Sequence, residues 1–193
     1  MKPMIRLGFA CAACLAAAPV QAQRHAPDPG TLTAGASLNV DVPADDSFTK
    51  SLALSGSVEA AVTPRVAVRA QVGVAWWNLE PLQGLVGSVH PLHVAGNIVY
   101  RWETGASHPY VTGGAGVYRY AVERVVSSRS TVRASQTHAG LNVGGGFEFF
   151  ETRRSAVTAE VLYHRVPDFG SPLAFTNGSF WSFAIGMNAY LEK

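Results

Sequence analysis

The chain has 193 residues, 48% of them hydrophobic and 15% charged, with 15 basic against 13 acidic side chains and a formal net charge of +2. That length suits one domain with its own core, and so small a net charge excludes an electrostatic case for a nucleic-acid partner. Both cysteines, Cys11 and Cys14, stand close to the start.

Residues 1–22 read as an export signal rather than as fold. Lys2 and Arg6 make a positive start, Leu7 to Ala18 an apolar run, and Val20-Gln21-Ala22 a small-residue cleavage site. A mature chain beginning at Gln23 carries neither cysteine, so it can hold no disulfide, cysteine metal site or thiol nucleophile. It also loses Lys2 and Arg6, leaving 13 basic residues against 13 acidic ones. Residues 23–33, with Pro27, Pro29 and Gly30, read as a flexible lead-in, and 34–193 as a single all-β domain. After Ala22 the longest apolar run is Val72 to Trp77, far short of the roughly 18 residues of a spanning helix. A closed barrel can still cross a bilayer, because it satisfies every backbone group between strands.

Eight segments alternate at period two. The first, Gly35 to Val42, sets Leu38, Val40 and Val42 against Ser37, Asn39 and Asp41; the second, Ser51 to Val62, sets Leu52, Leu54, Val58, Ala60 and Val62 against Ser51, Ser55, Ser57 and Glu59. The third, Arg65 to Trp77, is the clearest: Val66, Val68, Ala70, Val72, Val74 and Trp76 are all apolar, while the odd positions are polar or small up to Trp77. The fourth, Leu92 to Trp102, has Leu92, Val94, Ile98, Tyr100 and Trp102 outside and His93, Asn97 and Arg101 inside. The fifth, Tyr110 to Val122, reads with Tyr118, Tyr120 and Val122 outside and Val117, Arg119 and Ala121 inside. In the sixth, His138 to Phe150, Leu141, Val143, Phe147 and Phe149 oppose His138, Asn142 and Glu148. In the seventh, Ala156 to His164, Val157, Ala159, Val161 and Tyr163 oppose Thr158, Glu160 and His164. The eighth, Phe180 to Leu191, sets Trp181, Phe183, Ile185, Met187 and Leu191 against Ser182 and Asn188.

Eight is the smallest even number of strands that closes a bacterial outer-membrane barrel. The connections also alternate: Thr63-Pro64-Arg65, Glu103 to Pro109 and Glu151 to Ser155 are short, whereas Pro43 to Lys50, Asn78 to Pro91, Glu123 to Thr137 and Arg165 to Ser179 are longer. Short periplasmic turns and longer external loops are the pattern of such a barrel. With that orientation, Trp76, Tyr118, Tyr120, Tyr163 and Trp181 form an outer aromatic girdle, and Tyr100, Trp102, Tyr110 and Phe149 an inner one. The fold predicted is an eight-stranded antiparallel up-and-down transmembrane β-barrel.

The inward positions carry Glu59, Glu148 and Glu160 against Arg69, Arg101 and Arg119, with His93 and His164 nearby. A balanced set implies a cross-linked, filled lumen, since eight strands enclose about the volume their own side chains fill. If Val62 and Val66 are opposed across their turn, Glu59 faces Arg69 and the two form a lumenal ion pair. His90 and His93 cannot chelate together, because residues three apart on a strand point to opposite faces. Gly113, Gly114 and Gly116, like Gly144 to Gly146, lack the spacing and following helix of a phosphate loop, and Asp41, Asp45 and Asp46 lack calcium-loop spacing. No cofactor or metal is expected.

The glycine-aromatic strands HPYVTGGAGVYRY (His108 to Tyr120) and GLNVGGGFEFF (Gly140 to Phe150) resemble those of the small outer-membrane barrels of the OmpA/OmpX type, over nearly the whole mature chain. The resemblance implies a monomer in the bacterial outer membrane, in contact with its lipid and lipopolysaccharide and inserted by the barrel assembly machinery. Such barrels usually end in an aromatic residue, whereas this chain ends Tyr190-Leu191-Glu192-Lys193. Some eight-stranded barrels are lipid A deacylases with a histidine and serine as H-x-S on the seventh strand. The corresponding stretch here is Tyr163-His164-Arg165-Val166, with valine at the serine position and Ser171 or Ser179 as the remaining hydroxyls within approach. The function expected is therefore structural or surface-interacting and not enzymatic. The alternatives are a lipid A-modifying barrel enzyme and an exported, soluble, lipocalin-like binding barrel, which would turn the apolar face inward.

Overall fold

The computed structural model describes residues 27–45, 48–78, 86–102, 107–127, 130–152, 154–166 and 178–191; the expected signal peptide, 1–22, lies outside them. Strands β1 (Leu32–Pro43), β2 (Ser51–Ala61), β3 (Val66–Ala75), β4 (Trp77–Asn78), β5 (Val86–Arg101), β6 (Ser107–Ser127), β7 (Ser130–Phe150), β8 (Ser155–Arg165) and β9 (Phe180–Leu191) follow one another. The two-residue β4 continues β3 past Trp76, so the wall has eight strands. Every neighbour is antiparallel, and β3–β5 pairing closes the sheet. β1 starts two residues before the expected domain boundary, because Leu32 and Thr33 pair with Leu191 and Tyr190.

The pairing also sets the tilt. From Ala75, partners run through Ala53, Asn39, Ala184, Glu160, Gly146, Tyr110 and Arg101 to Arg65, ten residues back along the starting strand. A stagger of that size tilts the strands by roughly 35–45°. At the end bearing the chain termini, threonines tie two of the turns. Thr63 Oγ1 accepts from Val66 N at 2.9 Å, and Thr152 Oγ1 accepts from Arg154 N at 3.1 Å.

Apolar side chains stand outside. Val72 is 45% exposed and Ile185 70%, with Leu54, Val58, Val68, Ile98, Leu141 and Phe183 between them, whereas Glu59, Arg69, Arg101 and Glu148 are buried inside. A band this extensive is a lipid face, and it inverts the arrangement a lipocalin-like barrel requires. Replacing Val72 by Arg should therefore lower folding stability by about 2–4 kcal/mol in lipid vesicles, while Gln71→Arg, on the lumen face, lowers it less. Equal losses in urea titrations would contradict the assignment of faces.

One strand runs in the opposite phase to expectation. In β6, Tyr110, Tyr118, Tyr120 and Val122 point into the lumen and are buried, while Val117, 53% exposed, and Arg119 point outward. Thus Tyr110, Tyr118 and Tyr120 do not belong to the girdles, and Arg119 does not belong to the lumenal set. The cause is hydrogen bonding: a phenol facing hydrocarbon has no partner, whereas inside each hydroxyl finds one. Val111 and Val117 give nothing up in lipid. The remaining girdle residues Trp76, Tyr163, Trp181, Tyr100, Trp102 and Phe149 do face outward, with Tyr163 and Trp181 rings 4.9 Å apart and Tyr100 and Trp102 rings likewise 4.9 Å apart.

The connection expected at Glu123 to Thr137 is mostly strand. β6 and β7 stay paired out to Val125 and Thr131, with a register shift before Ser127. The β-branched residues Val122, Val125, Val126, Thr131 and Val132 sustain the ladder through the charged sequence. Beyond Val122 the hairpin continues for five more residues of β6, or about 16 Å of strand.

Candidate functional site

The lumen holds two side-chain assemblies in series. In the periplasmic half, alternation brings Glu59 from β2, Arg69 from β3, Arg101 from β5, Glu148 from β7 and Glu160 from β8 onto the inner face. Glu59 and Arg69 are register partners, and Arg69 Nε donates to Glu59 Oε2 at 3.1 Å. Arg69 Nη1 also donates to Glu160 Oε2 at 2.6 Å, while Arg101 reaches Glu59 Oε1 at 2.5 Å and Glu148 Oε2 at 2.8 Å. The result is one chain, Glu160–Arg69–Glu59–Arg101–Glu148, around the inside of the wall.

Neutral groups complete it. Tyr110 Oη donates to Glu160 Oε2 at 2.8 Å, Tyr190 Oη to Glu148 Oε2 at 3.1 Å, and Asn188 Nδ2 to Glu148 Oε1 at 2.7 Å. Both guanidinium groups also lie over the Tyr110 ring, at 5.3 and 5.9 Å from its centroid. Gly146 makes this possible, since a Cβ there would run into the Ala159 carbonyl and crowd Tyr110 Oη. Buried charges are tolerated when paired and hydrogen-bonded on all sides, and each carboxylate here has at least two donors. Tyr190 therefore points into the barrel, and Leu191 alone of the terminal pair faces lipid.

Above the network a polar layer of Ser37, Asn39 and Ser55 is joined by bonds of 2.6–3.0 Å. The adjoining cavity, lined by Ser57, Gln71, Tyr110 and Glu160 among others, has a volume of about 30 Å³, enough to admit water.

The external third is aromatic. Trp77, 1% exposed, touches Phe48, Tyr120 and Phe180 at centroid distances of 5.5, 5.8 and 5.3 Å. Phe48 comes from the β1–β2 connection, which is pinned across the mouth by Thr49 N donating to Asn78 O at 3.0 Å and Ala44 N donating to Ser179 O at 2.9 Å. Beneath them His164 stacks on Phe180 at 4.3 Å and shares a 2.9 Å hydrogen bond with Tyr118 Oη. His93 lies 5.0 Å from His164, its ring seated over Gly73, where a Cβ would collide with it. Sequence reasoning missed Phe48, Trp77 and Phe180. The signals were a lone large aromatic in a polar connection and a tryptophan on the polar phase of the third segment.

Of the residues considered for catalysis, His164 is the register partner of Phe180, next to Ser179 in the chain. His164 is enclosed in the lumen, while Ser179 Oγ donates to Val166 O at 3.2 Å and accepts from Val166 N at 3.1 Å; Ser171 lies outside the described residues. His90 faces outward and His93 inward, on opposite faces as their spacing requires.

A closed eight-stranded antiparallel barrel with a lipid-facing exterior and a polar, occupied lumen is an integral outer-membrane protein. The family model for the outer membrane protein beta-barrel domain matches residues 8–189, and the chain belongs to that family. Solved structures share the fold. OprG of Pseudomonas aeruginosa has a TM-score of 0.61 at 16% identity, over 86% of this chain and 98% of that one. Neisserial surface protein A gives 0.59 at 16%, over 84% and 97%, and Ail, the attachment invasion locus protein of Yersinia pestis, gives 0.58 at 14%, over 84% and 99%. No curated protein sequence matches.

Proposed function

We propose that this outer-membrane barrel acts through the surface it presents, as a structural or surface-interaction protein, and neither conducts nor catalyses. The observation that carries this is the lumen. Arg69 and Arg101 knit three carboxylates across the periplasmic half, and Phe48, Trp77, Tyr120 and Phe180 close the external third. With the interior committed to its own contacts, what remains for a partner is the outside, and the paired β6–β7 hairpin is the part built to project. Catalysis at His164 would need substrate to enter past the Trp77 cluster, and the nearby Ser179 hydroxyl is engaged by the Val166 backbone.

The test has two arms. In planar bilayers the purified barrel should give no ion-conducting steps; regular steps would favour a channel. Replacing residues 124–132 by Asn-Gly should leave assembly and surface protease resistance unchanged. If the trimmed protein no longer reached the outer membrane, the hairpin would be an assembly element and the surface reading would lose its support.

A further inference from the structure

The phase of β6 leaves Arg119 on the lipid side, where a lone guanidinium is expensive unless it reaches phosphate or water. Arg165 of β8 is also outward and exposed, and among the described residues neither has an ion-pair partner. The register sets Arg119 opposite Thr137 and Arg165 opposite Leu141 of the intervening β7. At about 3.3 Å per residue and about 4.8 Å between strands, their Cα atoms lie about 16 Å apart. Two extended arginines can close that distance around one phosphate. Between them β7 turns out only Thr137 and Ala139, a shallow trough. The strand tilt brings both arginines to the height of Trp76, in the outer girdle.

We infer that Arg119 and Arg165 form a clamp for the phosphate of an outer-leaflet lipid, with β7 as its floor. Below the clamp the wall carries Val117, Leu141 and Val143, 53–61% exposed, which suit the acyl chains of the same molecule. Guanidinium groups fit such a headgroup because they donate to phosphate in pairs. Further round the wall from β8, through β9, β1 and β2, the outward residues at that height are Trp181, Val42 and Leu52, with Lys50 as the exposed cation above them. Among the described residues the cationic sector at that height is thus confined to β6–β8. The inference deepens the surface reading and rests on this end facing the outer leaflet.

The barrel, reconstituted in phosphatidylcholine nanodiscs containing a few per cent phosphatidic acid, tests it by the lipid retained on extraction. Symmetric discs make the outcome independent of orientation and of any role for the hairpin. The wild-type protein should enrich phosphatidic acid, and Arg119→Gln or Arg165→Gln should each lower the enrichment about fivefold, the worth of one cation at an anionic lipid surface. Millimolar inorganic phosphate should not displace the lipid, because the apolar rows are part of the site. Lys50→Gln should leave enrichment unchanged, and all variants should keep the wild-type urea midpoint. Full enrichment in the double Gln variant, an equal loss in Lys50→Gln, or displacement by free phosphate would overturn the clamp.

Discussion

Arg101→Met should destabilise the barrel by about 3–5 kcal/mol, because it leaves two buried carboxylates without their shared cation. Arg101 Nε and Nη2 hold Glu148 and Glu59 at 2.8 and 2.5 Å, and its side chain is only 2% exposed. Glu59 would keep Arg69, but Glu148 would keep only Tyr190 and Asn188, neutral donors too weak to hold an ion in so dry a place. Neutralising the carboxylate as well, with Arg101→Met and Glu148→Gln together, should recover part of the loss, since the damage lies in the unpaired charge. Urea titrations in lipid vesicles would measure both. A single variant within about 1 kcal/mol of wild type, or a double variant worse than the sum of the singles, would mean that the network is hydrated and screened. The exposed hairpin pair Glu123–Arg133, at 2.8 Å, is the control: Arg133→Met should change stability little, as surface pairs do.

That network was partly legible in the sequence. Val62 and Val66 flank a three-residue turn, which fixes Glu59 opposite Arg69, and the structure pairs them. The longer-range partners, Arg101 with Glu148 or Arg69 with Glu160, depend on the stagger of the closed barrel, and no single hairpin carries that information. Strand phases were readable where one face was apolar throughout, as in Val66 to Trp76 or Trp181 to Leu191. They failed in VYRYAV, residues 117–122, where both faces offer apolar groups and tyrosine fits either side. Valines at 111 and 117 settle the phase, because they lose nothing in hydrocarbon, whereas Tyr110, Tyr118 and Tyr120 gain hydrogen bonds to Glu160, His164 and Gly178. Charge misled twice: it drew Arg119 inward, and it turned a β-branched hairpin into a loop.

Trp77→Ala should cost about 3–5 kcal/mol, the range for emptying a large, fully buried aromatic site. Its ring is the hub of the external plug, in contact with Phe48, Tyr120 and Phe180. These come from the β1–β2 connection, β6 and β9, so no one neighbour can move to fill the void. Trp77→Phe retains a ring and should lose less. Conductance distinguishes this plug from the lower network. Because the Arg69 and Arg101 ion pairs lie in series with it, removing Trp77 should loosen the mouth without opening a path, and planar bilayers should still show no steps. Steps from Trp77→Ala alone would mean that the charged layer lets ions through and that the aromatic plug is the seal. Steps appearing only when Arg101→Met is added would show two independent barriers. An unfolding midpoint unchanged by Trp77→Ala would remove the indole from the core of the mouth altogether.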